Sequence, residues 1–220
     1  MKIVLFIPIK LNNQRLPGKN IKSLNGSPLC SYLFDTVKEL GVVDEKYVYC
    51  SDEAIISYMP EKIKYLKRDR ALDGDQVKGL DIIESFVKNV DADIYVLAHV
   101  TQPFIRKESI LNALDKVIND GYDSAFSVYE IQDYCWYQGK PFNYQMKDIV
   151  TTQNLEPIYM ETGAFYVFKK EVFTDLHQRI GDKPYMQVVD QIEAVDIDTM
   201  DDFRFAEAVA TFLTKNSLEK

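Results

Sequence analysis

Residues 3–9 read IVLFIPI, an unbroken apolar run, and residues 10–26 (KLNNQRLPGKNIKSLNG) follow it as a polar loop rich in Asn, Pro and Gly. We call residues 10–26 the cationic loop. A continuous apolar run bounded by a loop is typical of a strand that is buried on both faces. Residues 93–100 (DIYVLAHV) form a second long apolar run. The two runs therefore predict two central strands of one sheet.

Helical and extended patterns alternate along the rest of the chain. Amphipathic spacing predicts helices over residues 77–90 and 107–119. Further strands are predicted over 46–50, 62–66, 124–129, 164–168 and 191–197, with a terminal helix from Thr199 onward. This alternation is typical of an α/β fold with a mostly parallel sheet. Ligands bind beyond the carboxyl ends of such strands, so functional residues are expected just after Ile9, Cys50, Val100 and Ile197.

The alternation breaks between residues 131 and 158, a segment that we call the excursion. It is rich in aromatic and amide residues, including Tyr134, Trp136 and Tyr137. We expect it to leave the main sheet while remaining part of one domain that spans residues 1–220. Its aromatic side chains favour either stacking on a substrate or an interface with a second subunit.

The composition excludes several classes of protein. The 220 residues are 46% hydrophobic and 27% charged, which is ordinary globular usage and excludes disordered, collagen-like and disulfide-scaffold chains. A net charge of −8 and a pI near 4.9 argue against nucleic acid and anionic membranes as partners. No stretch approaches the roughly 18 apolar residues of a membrane span. Three widely spaced cysteines indicate free thiols, and hence a cytoplasmic protein.

The positive charge is concentrated at the start of the chain. Residues 1–34 contain five basic and no acidic residues, so the remainder carries a charge of −13. A cationic segment in an anionic protein indicates a local anion site, although solvated loop lysines are an alternative. The cationic loop matches neither the Walker A sequence nor the dinucleotide fingerprint. Its Lys, Arg and amide groups instead predict phosphate binding at the end of the first strand.

A pair of aspartates, Asp196 and Asp198, stands at the end of the last predicted strand. Residues i and i+2 of an extended strand point the same way, so the two carboxylates are expected on one face. Paired carboxylates close to phosphates favour Mg²⁺ between them. The alternative is that this segment only caps the final helix, with Thr199 and Asp202 forming a capping pair. We assign capping to Thr199 and Asp202 and the metal to the aspartates.

Several stretches, taken in order, resemble the acylneuraminate cytidylyltransferase family. The segment 7–20 (IPIKLNNQRLPGKN) is similar to the phosphate loop of that family, with Lys10 at the position where the family usually has Arg. The other similar stretches are Ser51-Asp52, Arg68 with Leu72 and Asp75, 99–104 (HVTQPF), 121–128 (GYDSAFSV), 153–166 and 195–203 (VDIDTMDDF). Together they cover nearly the whole chain.

The resemblance implies a Rossmann-like, three-layer nucleotidyltransferase fold and a CTP-dependent cytidylyl transfer to an acidic acceptor with release of pyrophosphate. It implies catalytic phosphate contacts by Lys10, Arg15 and Lys19, and Mg²⁺ held by Asp196 and Asp198. The implied nucleotide-binding residues are Pro8, Ile9, Lys10, Leu11, Asn12, Asn20, Ser51, Asp52 and Arg68. The implied substrate-binding residues are His99, Thr101, Gln102, Gln153, Tyr159, Glu161 and Thr162. It also implies a homodimer formed through the excursion.

Alternatives remain open for the acceptor and for the reaction. Thr151, Thr152 and Asn154 depart from residues that sialic acid enzymes of the family often carry, so another 2-keto-3-deoxy sugar acid or a phosphonate is a possible acceptor. A metal-dependent glycosyltransferase also uses an Asp-x-Asp pair. A nucleotide-binding relative without turnover is a third hypothesis, because Lys10 and His99 both depart from the family pattern. His99 is either a proton carrier or a structural histidine.

Overall fold

The computed structural model describes residues 1–218, with side chains described as far as Lys215. Its main sheet consists of β1 (Ile3–Ile9), β2 (Glu45–Cys50), β3 (Lys64–Lys67), β4 (Ile94–Ala98), β5 (Ser124–Ile131), β6 (Ile158–Lys169) and β7 (Pro184–Val189). The order across the sheet is β7-β5-β6-β4-β1-β2-β3. Strand β6 is antiparallel to β4 and to β5, and the other adjacent pairs are parallel. The expected mostly parallel α/β fold is confirmed, while residues 219–220 of the predicted domain lie outside the described residues.

Helices cover both faces of the sheet, giving three layers. They are α1 (Leu29–Lys38), α2 (Gly79–Asn89), α3 (Lys107–Asn119), α4 (Lys170–Leu176) and α5 (Met200–Leu218). Helices α1 and α3 bury apolar residues in one core, and α2 and α4 in the other. The helical spacing in the sequence thus corresponds to real buried faces. Within residues 1–218, no helix combines the length and the apolar character needed to cross a membrane.

Strand β1 contributes to both cores, as its continuous apolar sequence predicts. Ile3, Leu5 and Ile7 pack with α1 and α3, whereas Val4 and Phe6 face α2. The ring of Phe6 stacks on Phe86 of α2 with centroids 4.1 Å apart. Because β1 lies between β2 and β4 and is buried on both sides, the loop that follows it emerges near the middle of the sheet edge.

The predicted strand over residues 191–197 is wrong. Residues 190–194 form a turn, in which the Asp190 carboxylate accepts hydrogen bonds from the backbone N–H groups of Ile192 and Glu193, both at 3.0 Å. An Asp side chain that bonds its own backbone two residues ahead favours a turn over a strand. The last strand is instead β7, which lies at the sheet edge with Met186 and Val188 exposed.

A third apolar cluster connects the cationic loop to the end of the chain. Leu16 and Leu24 of the loop pack with Ile197 and with Phe203 of α5. Two short strands inside this region, Ser23–Leu24 and Ser27–Pro28, pair with each other and not with the main sheet. The loop is therefore anchored by packing against the segment that contains Asp196 and Asp198, although the two segments are far apart in sequence.

Candidate functional site

The cationic loop turns back over the sheet edge through a tight turn at Gly18. This residue has φ +65°, a left-handed conformation that favours glycine, and it precedes a 3₁₀ turn over Lys19–Ile21. The turn buries Lys19 and Asn20, which are 6% and 4% exposed. The amide of Asn20 donates a hydrogen bond of 2.8 Å to the carbonyl oxygen of Lys10 and so closes the loop on itself.

Lys19 joins the cationic loop to the aspartate pair. Its ammonium group donates to the carbonyl oxygen of Ile197 at 2.5 Å and to Asp198 Oδ1 at 3.0 Å. Arg15 Nη1 donates to the other oxygen, Asp198 Oδ2, at 2.7 Å. Burial strengthens the contact of Lys19, because water screens it less than it screens the exposed Arg15. The structure thus brings Arg15, Lys19 and Asp198 together, as the sequence predicted.

Asp196 and Asp198 follow each other on an extended segment and not on a sheet strand. The partial exclusion of water from the Asp196 carboxylate raises its pKa, and the negative charge of Asp198 adds to this effect. Thr199 and Asp202 exchange hydrogen bonds of 2.7 and 3.3 Å at the start of α5, and Asp198 joins this cap only through its backbone N–H, which donates to Asp202 at 3.1 Å. The predicted capping pair is therefore confirmed, while the Asp198 carboxylate itself is paired with Lys19 and Arg15.

The donor set of the aspartate pair can be compared with what Mg²⁺ requires. No group of three or more His, Cys, Asp or Glu side chains that could hold a metal lies among the described residues. Mg²⁺ is commonly bound by one or two carboxylates, with water and substrate phosphates completing its six ligands. Two carboxylates beside a cationic loop fit that pattern. Burial of the Asp196 carboxylate and the nearby charge of Asp198 disfavour its ionised form, and a bound cation would favour that form.

A cavity of about 340 Å³ lies next to the loop, beyond the ends of β1 and β2. Its lining residues are Leu11, Asn12, Ser51, Asp52, Arg70 and Asp73. Four of these were predicted to bind the nucleotide. Arg70 and Asp73 were missed, because they stand on a short 3₁₀ turn (Arg70–Asp73) that no sequence pattern marks as functional. The position of that turn, just after the end of β3, is the one signal that could have found them.

Arg68 stabilises the segments that border this cavity. It is 3% exposed, and its Nη2 donates to the carbonyl oxygen of Ile9 at 3.0 Å and to Asp73 Oδ1 at 2.6 Å. The Asp73 carboxylate also accepts a hydrogen bond from Ser51 Oγ. Arg68 thus holds the end of β1 to the turn after β3, while its buried Nε has no hydrogen-bond partner. The side chain of Ile9 lies in the core, so only its backbone faces this network.

Another group of predicted residues lies where β4 ends beside β6. His99 Nδ1 is 2.6 Å from the carbonyl oxygen of Gly163, and Gln102 Nε2 donates to the carbonyl oxygen of Thr162 at 3.0 Å. These carbonyls are exposed to the two side chains because the pairing of β6 with β5 shifts register between Glu161 and Tyr166. The bulge includes Gly163 at φ +79°, a conformation that favours glycine.

His99 is held as a neutral imidazole. A carbonyl oxygen can only accept, so Nδ1 carries the proton that bonds Gly163. Burial lowers the pKa of His99, and the positive charge of Arg179 lowers it further. The neutral ring with Nδ1 protonated leaves Nε2 as a proton acceptor. This arrangement is compatible with both roles proposed for His99 from the sequence.

Glu161 and Arg179 complete this side of the site. Arg179 Nη2 donates to Glu161 Oε1 at 2.8 Å, and the Tyr166 hydroxyl donates to the same oxygen. The Arg179 guanidinium stacks 3.9 Å from the centre of the Tyr166 ring. Sequence reasoning identified Glu161 but missed Arg179, which lies in the loop between α4 and β7 and belongs to no quoted motif.

Two predicted substrate residues lie on or beside the excursion. Gln153 belongs to a 3₁₀ turn (Thr152–Asn154), and its carbonyl oxygen accepts a hydrogen bond of 3.2 Å from Gln132. Tyr159 stands near the start of β6 and is 39% exposed. Within the described part of the chain, neither shares a hydrogen bond with the cationic loop or the aspartate pair. Their predicted contacts with substrate stay predictions.

Comparison with known proteins gives a family match and several relatives. A family model described as "Cytidylyltransferase" matches residues 4–217. N-acylneuraminate cytidylyltransferase of Streptococcus agalactiae is 24% identical over 214 residues, with 92% of this chain and 52% of the relative covered. Pseudaminic acid cytidylyltransferase of Campylobacter jejuni is 26% identical over 226 residues, covering 94% of this chain and 95% of the relative. The chain thus spans about half the length of the streptococcal relative and nearly all of the Campylobacter one.

Solved structures show the same fold. A CMP:2-keto-3-deoxy-manno-octonic acid synthetase complexed with CTP superposes with a TM-score of 0.73 at 17% identity, covering 96% of this chain and 99% of the other. A 4-diphosphocytidyl-2C-methyl-D-erythritol synthase from Anaerococcus prevotii superposes with a TM-score of 0.68 at 12% identity, covering 96% of each chain. Both similarities concern the three-layer fold alone, and they confirm the Rossmann-like architecture expected from the sequence.

Proposed function

Because the chain belongs to the cytidylyltransferase family, we propose that it transfers CMP from CTP to an acidic sugar and releases pyrophosphate. An oxygen of the acceptor attacks the α-phosphorus of CTP. The bond from that phosphorus to the bridging oxygen breaks, and pyrophosphate leaves with the electron pair. The observation that carries the proposal is the meeting of Lys19, Arg15 and Asp198 at the carboxyl edge of the sheet.

The cations of the loop supply the electrostatic part of the reaction. In this proposal Lys10, Arg15 and Lys19 neutralise the phosphates, since preorganised charges of this kind stabilise the charge that develops on the leaving pyrophosphate. The buried Lys19 is held by Ile197 and Asp198, so little side-chain reorganisation is needed for it to act. The cavity between Asn12 and Arg70 is the proposed place for the nucleoside.

We further propose that Asp196 and Asp198 hold Mg²⁺. When bound there, the metal would supply positive charge that neutralises the triphosphate. Arg15 and Lys19 then have phosphate oxygens as alternative partners to Asp198. In this proposal Nε2 of His99 takes the proton from the attacking hydroxyl group of the acidic sugar.

The proposed acceptor is a 2-keto-3-deoxy sugar acid. Support comes from the names of the relatives, which refer to N-acylneuraminate, pseudaminic acid and 3-deoxy-manno-octulosonate. The last of these relatives, from Christiangramia forsetii, is 28% identical over 120 residues and covers 54% of this chain. The reaction is proposed to take place in the cytoplasm, which agrees with the three free cysteines.

A homodimer is proposed through the excursion. It exposes large apolar side chains, namely Tyr134, Trp136, Tyr137, Phe142, Met146 and Ile149. Exposed apolar residues concentrated in one segment are typical of an interaction surface. Sedimentation equilibrium of the wild type and of Trp136→Glu tests this, since the substitution is expected to shift a dimer towards the monomer. A monomeric wild type at micromolar concentration would contradict the proposal.

The reaction itself is tested by pyrophosphate release. The assay contains CTP, Mg²⁺ and in turn each of the three named sugar acids, a phosphonate, and no acceptor, with ATP, GTP and UTP as controls. Release that requires CTP and a sugar acid is the expected result. Release only with the phosphonate would correct the acceptor. A parallel reaction with a nucleoside-diphosphate sugar, followed by release of the nucleoside diphosphate, would indicate a glycosyltransferase. CTP binding without any release would indicate a relative without turnover.

A further inference from the structure

The cations of the site fall into two groups. Near the cationic loop, Arg15 and Lys19 pair with Asp198, Arg68 pairs with Asp73, and Lys10 lies 3.8 Å from Asp75. A second group, Lys78 and Arg179, lines a different cavity and belongs to no proposed contact with CTP. Among the ion pairs of the described residues, Lys78 takes part in none. This second group needs a function of its own.

Arg179 is held in a fixed orientation. Its guanidinium carbon lies 3.9 Å from the centroid of the Tyr166 ring, and its Nη2 donates a hydrogen bond to Glu161 at 2.8 Å. The Tyr166 ring in turn meets the ring of His99 edge-on, with centroids 6.2 Å apart. A single aromatic ring therefore separates Arg179 from the histidine at the end of β4. The side chain is one-third exposed, so it is oriented but still open to a ligand.

A cavity of about 440 Å³ opens beside this guanidinium. Its lining residues are Lys78, Gly79, Leu80, Gln178, Arg179 and Ile180. The volume falls in the range of small-molecule sites. Arg179 Nη1 lies next to the first turn of α2, 3.9 Å from the position that a Cβ at Gly79 would occupy. One edge of the guanidinium thus faces Glu161, while Nη1 lies beside the cavity.

We propose that Arg179 binds the carboxylate of the acceptor, with Lys78 adding a second positive charge at the same cavity. This inference rests on the proposed cytidylyl transfer to an acidic sugar. A guanidinium offers a planar fork that matches a carboxylate, and its orientation is fixed here before the ligand arrives. Arg179 also balances the negative charge of Glu161, which would otherwise repel an acidic acceptor. In this proposal Arg179 determines the preference for acidic over neutral acceptors.

The test compares each acid acceptor with its neutral carboxamide. For the sugar acid that supports the fastest pyrophosphate release, kcat and KM are measured for the acid and for the carboxamide with the wild type, Arg179→Gln and Arg179→Lys. Arg204→Gln is the matched control, since Arg204 is an exposed arginine that pairs with Asp201 on α5. The glutamine variant is expected to lower kcat/KM for the acid by about 10- to 100-fold, mainly through KM. The KM for CTP should change less than threefold, and kcat/KM for the carboxamide should fall by a clearly smaller factor than kcat/KM for the acid.

The lysine variant separates recognition from folding. It keeps the charge but loses the fork, so it is expected to recover part of the preference for the acid. Equal losses for acid and carboxamide in both variants would overturn the assignment, and so would an unchanged acid-to-carboxamide ratio in Arg179→Gln. Absence of release by the wild type with every acceptor, while CTP still binds, would instead overturn the proposed transfer and this assignment with it. The two failures are therefore distinguishable.

Discussion

Replacement of Lys19 by Met tests the contact that connects the cationic loop to the aspartate pair. The substitution keeps most of the buried stem but removes the ammonium, and with it the hydrogen bonds to Ile197 and Asp198. A hydrogen bond to a charged group contributes about 1.5–3 kcal/mol. Asp198 is partly exposed and keeps its bond to Arg15, so its share falls at the low end. We therefore expect the free energy of unfolding to fall by about 3–4.5 kcal/mol.

Two measurements follow from this value. In thermal unfolding, each 1 kcal/mol corresponds to about 2–4 °C in Tm for a chain of this size. In the pyrophosphate assay, loss of one preorganised charge donor should lower kcat/KM by about 100- to 1000-fold. The control is Lys62→Met, because that lysine is exposed and only pairs with Glu39 at 3.6 Å. A Lys19→Met variant with the Tm and the turnover of this control would refute the reasoning.

Three further predictions concern the metal, helix α3 and the effect of pH. Asp198→Asn should lower kcat/KM by about 100-fold or more and raise the Mg²⁺ concentration needed for half-maximal activity, as measured by metal titration; an unchanged Mg²⁺ dependence would contradict the metal assignment. Glu193→Gln should lower the free energy of unfolding, measured in urea, by about 2–3 kcal/mol. The Glu193 carboxylate is 2% exposed and accepts hydrogen bonds from the Arg106 backbone at 2.9 Å and from Ser109 at 2.7 Å. An unchanged urea midpoint would show that α3 does not depend on the charge of Glu193. Because the pKa of His99 is lowered in the folded chain, the unfolded chain takes up a proton below about pH 6.5 while the folded chain does not. The free energy of unfolding should therefore fall from about pH 7.5 to about pH 5.5, and His99→Gln should show a smaller fall. An equal fall in both proteins would argue against a buried neutral histidine.

The sequence predicted those elements whose pattern is continuous and local. Strand β1 and helix α3 have the predicted bounds. A strand buried on both faces is visible in the sequence as a continuous apolar run, and an amphipathic helix as apolar residues at helical spacing. The predicted strand over 191–197 failed because Asp190 and Glu193 use their carboxylates to form a turn and to support α3. Strand β7 was missed because it is a half-exposed edge strand that begins with proline.

The candidate site was predicted to a similar degree. The cationic loop and the aspartate pair could be recognised because each has an unusual charge pattern, and the fold brings them together at Lys19. Arg70 and Arg179 could not, because each is a single arginine in a connecting segment. The position of Arg70 depends on the strand order, which brings the end of β3 beside β2, whereas Arg179 reaches the site because its side chain extends over Tyr166 of β6. That order is a property of the whole chain and leaves no local pattern.

The single antiparallel strand has a consequence for how proteins of this design can change. Strand β5 ends and β6 begins at the same edge of the sheet, where Ile131 pairs with Ile158. The excursion between them is therefore a module with adjacent attachment points, and exchanging it leaves the strand order unaltered. Strand β4 stands between this module and the loop that holds the nucleotide in our proposal. A lineage could thus acquire a new acceptor by varying one side of the sheet while the chemistry on the other side stays intact.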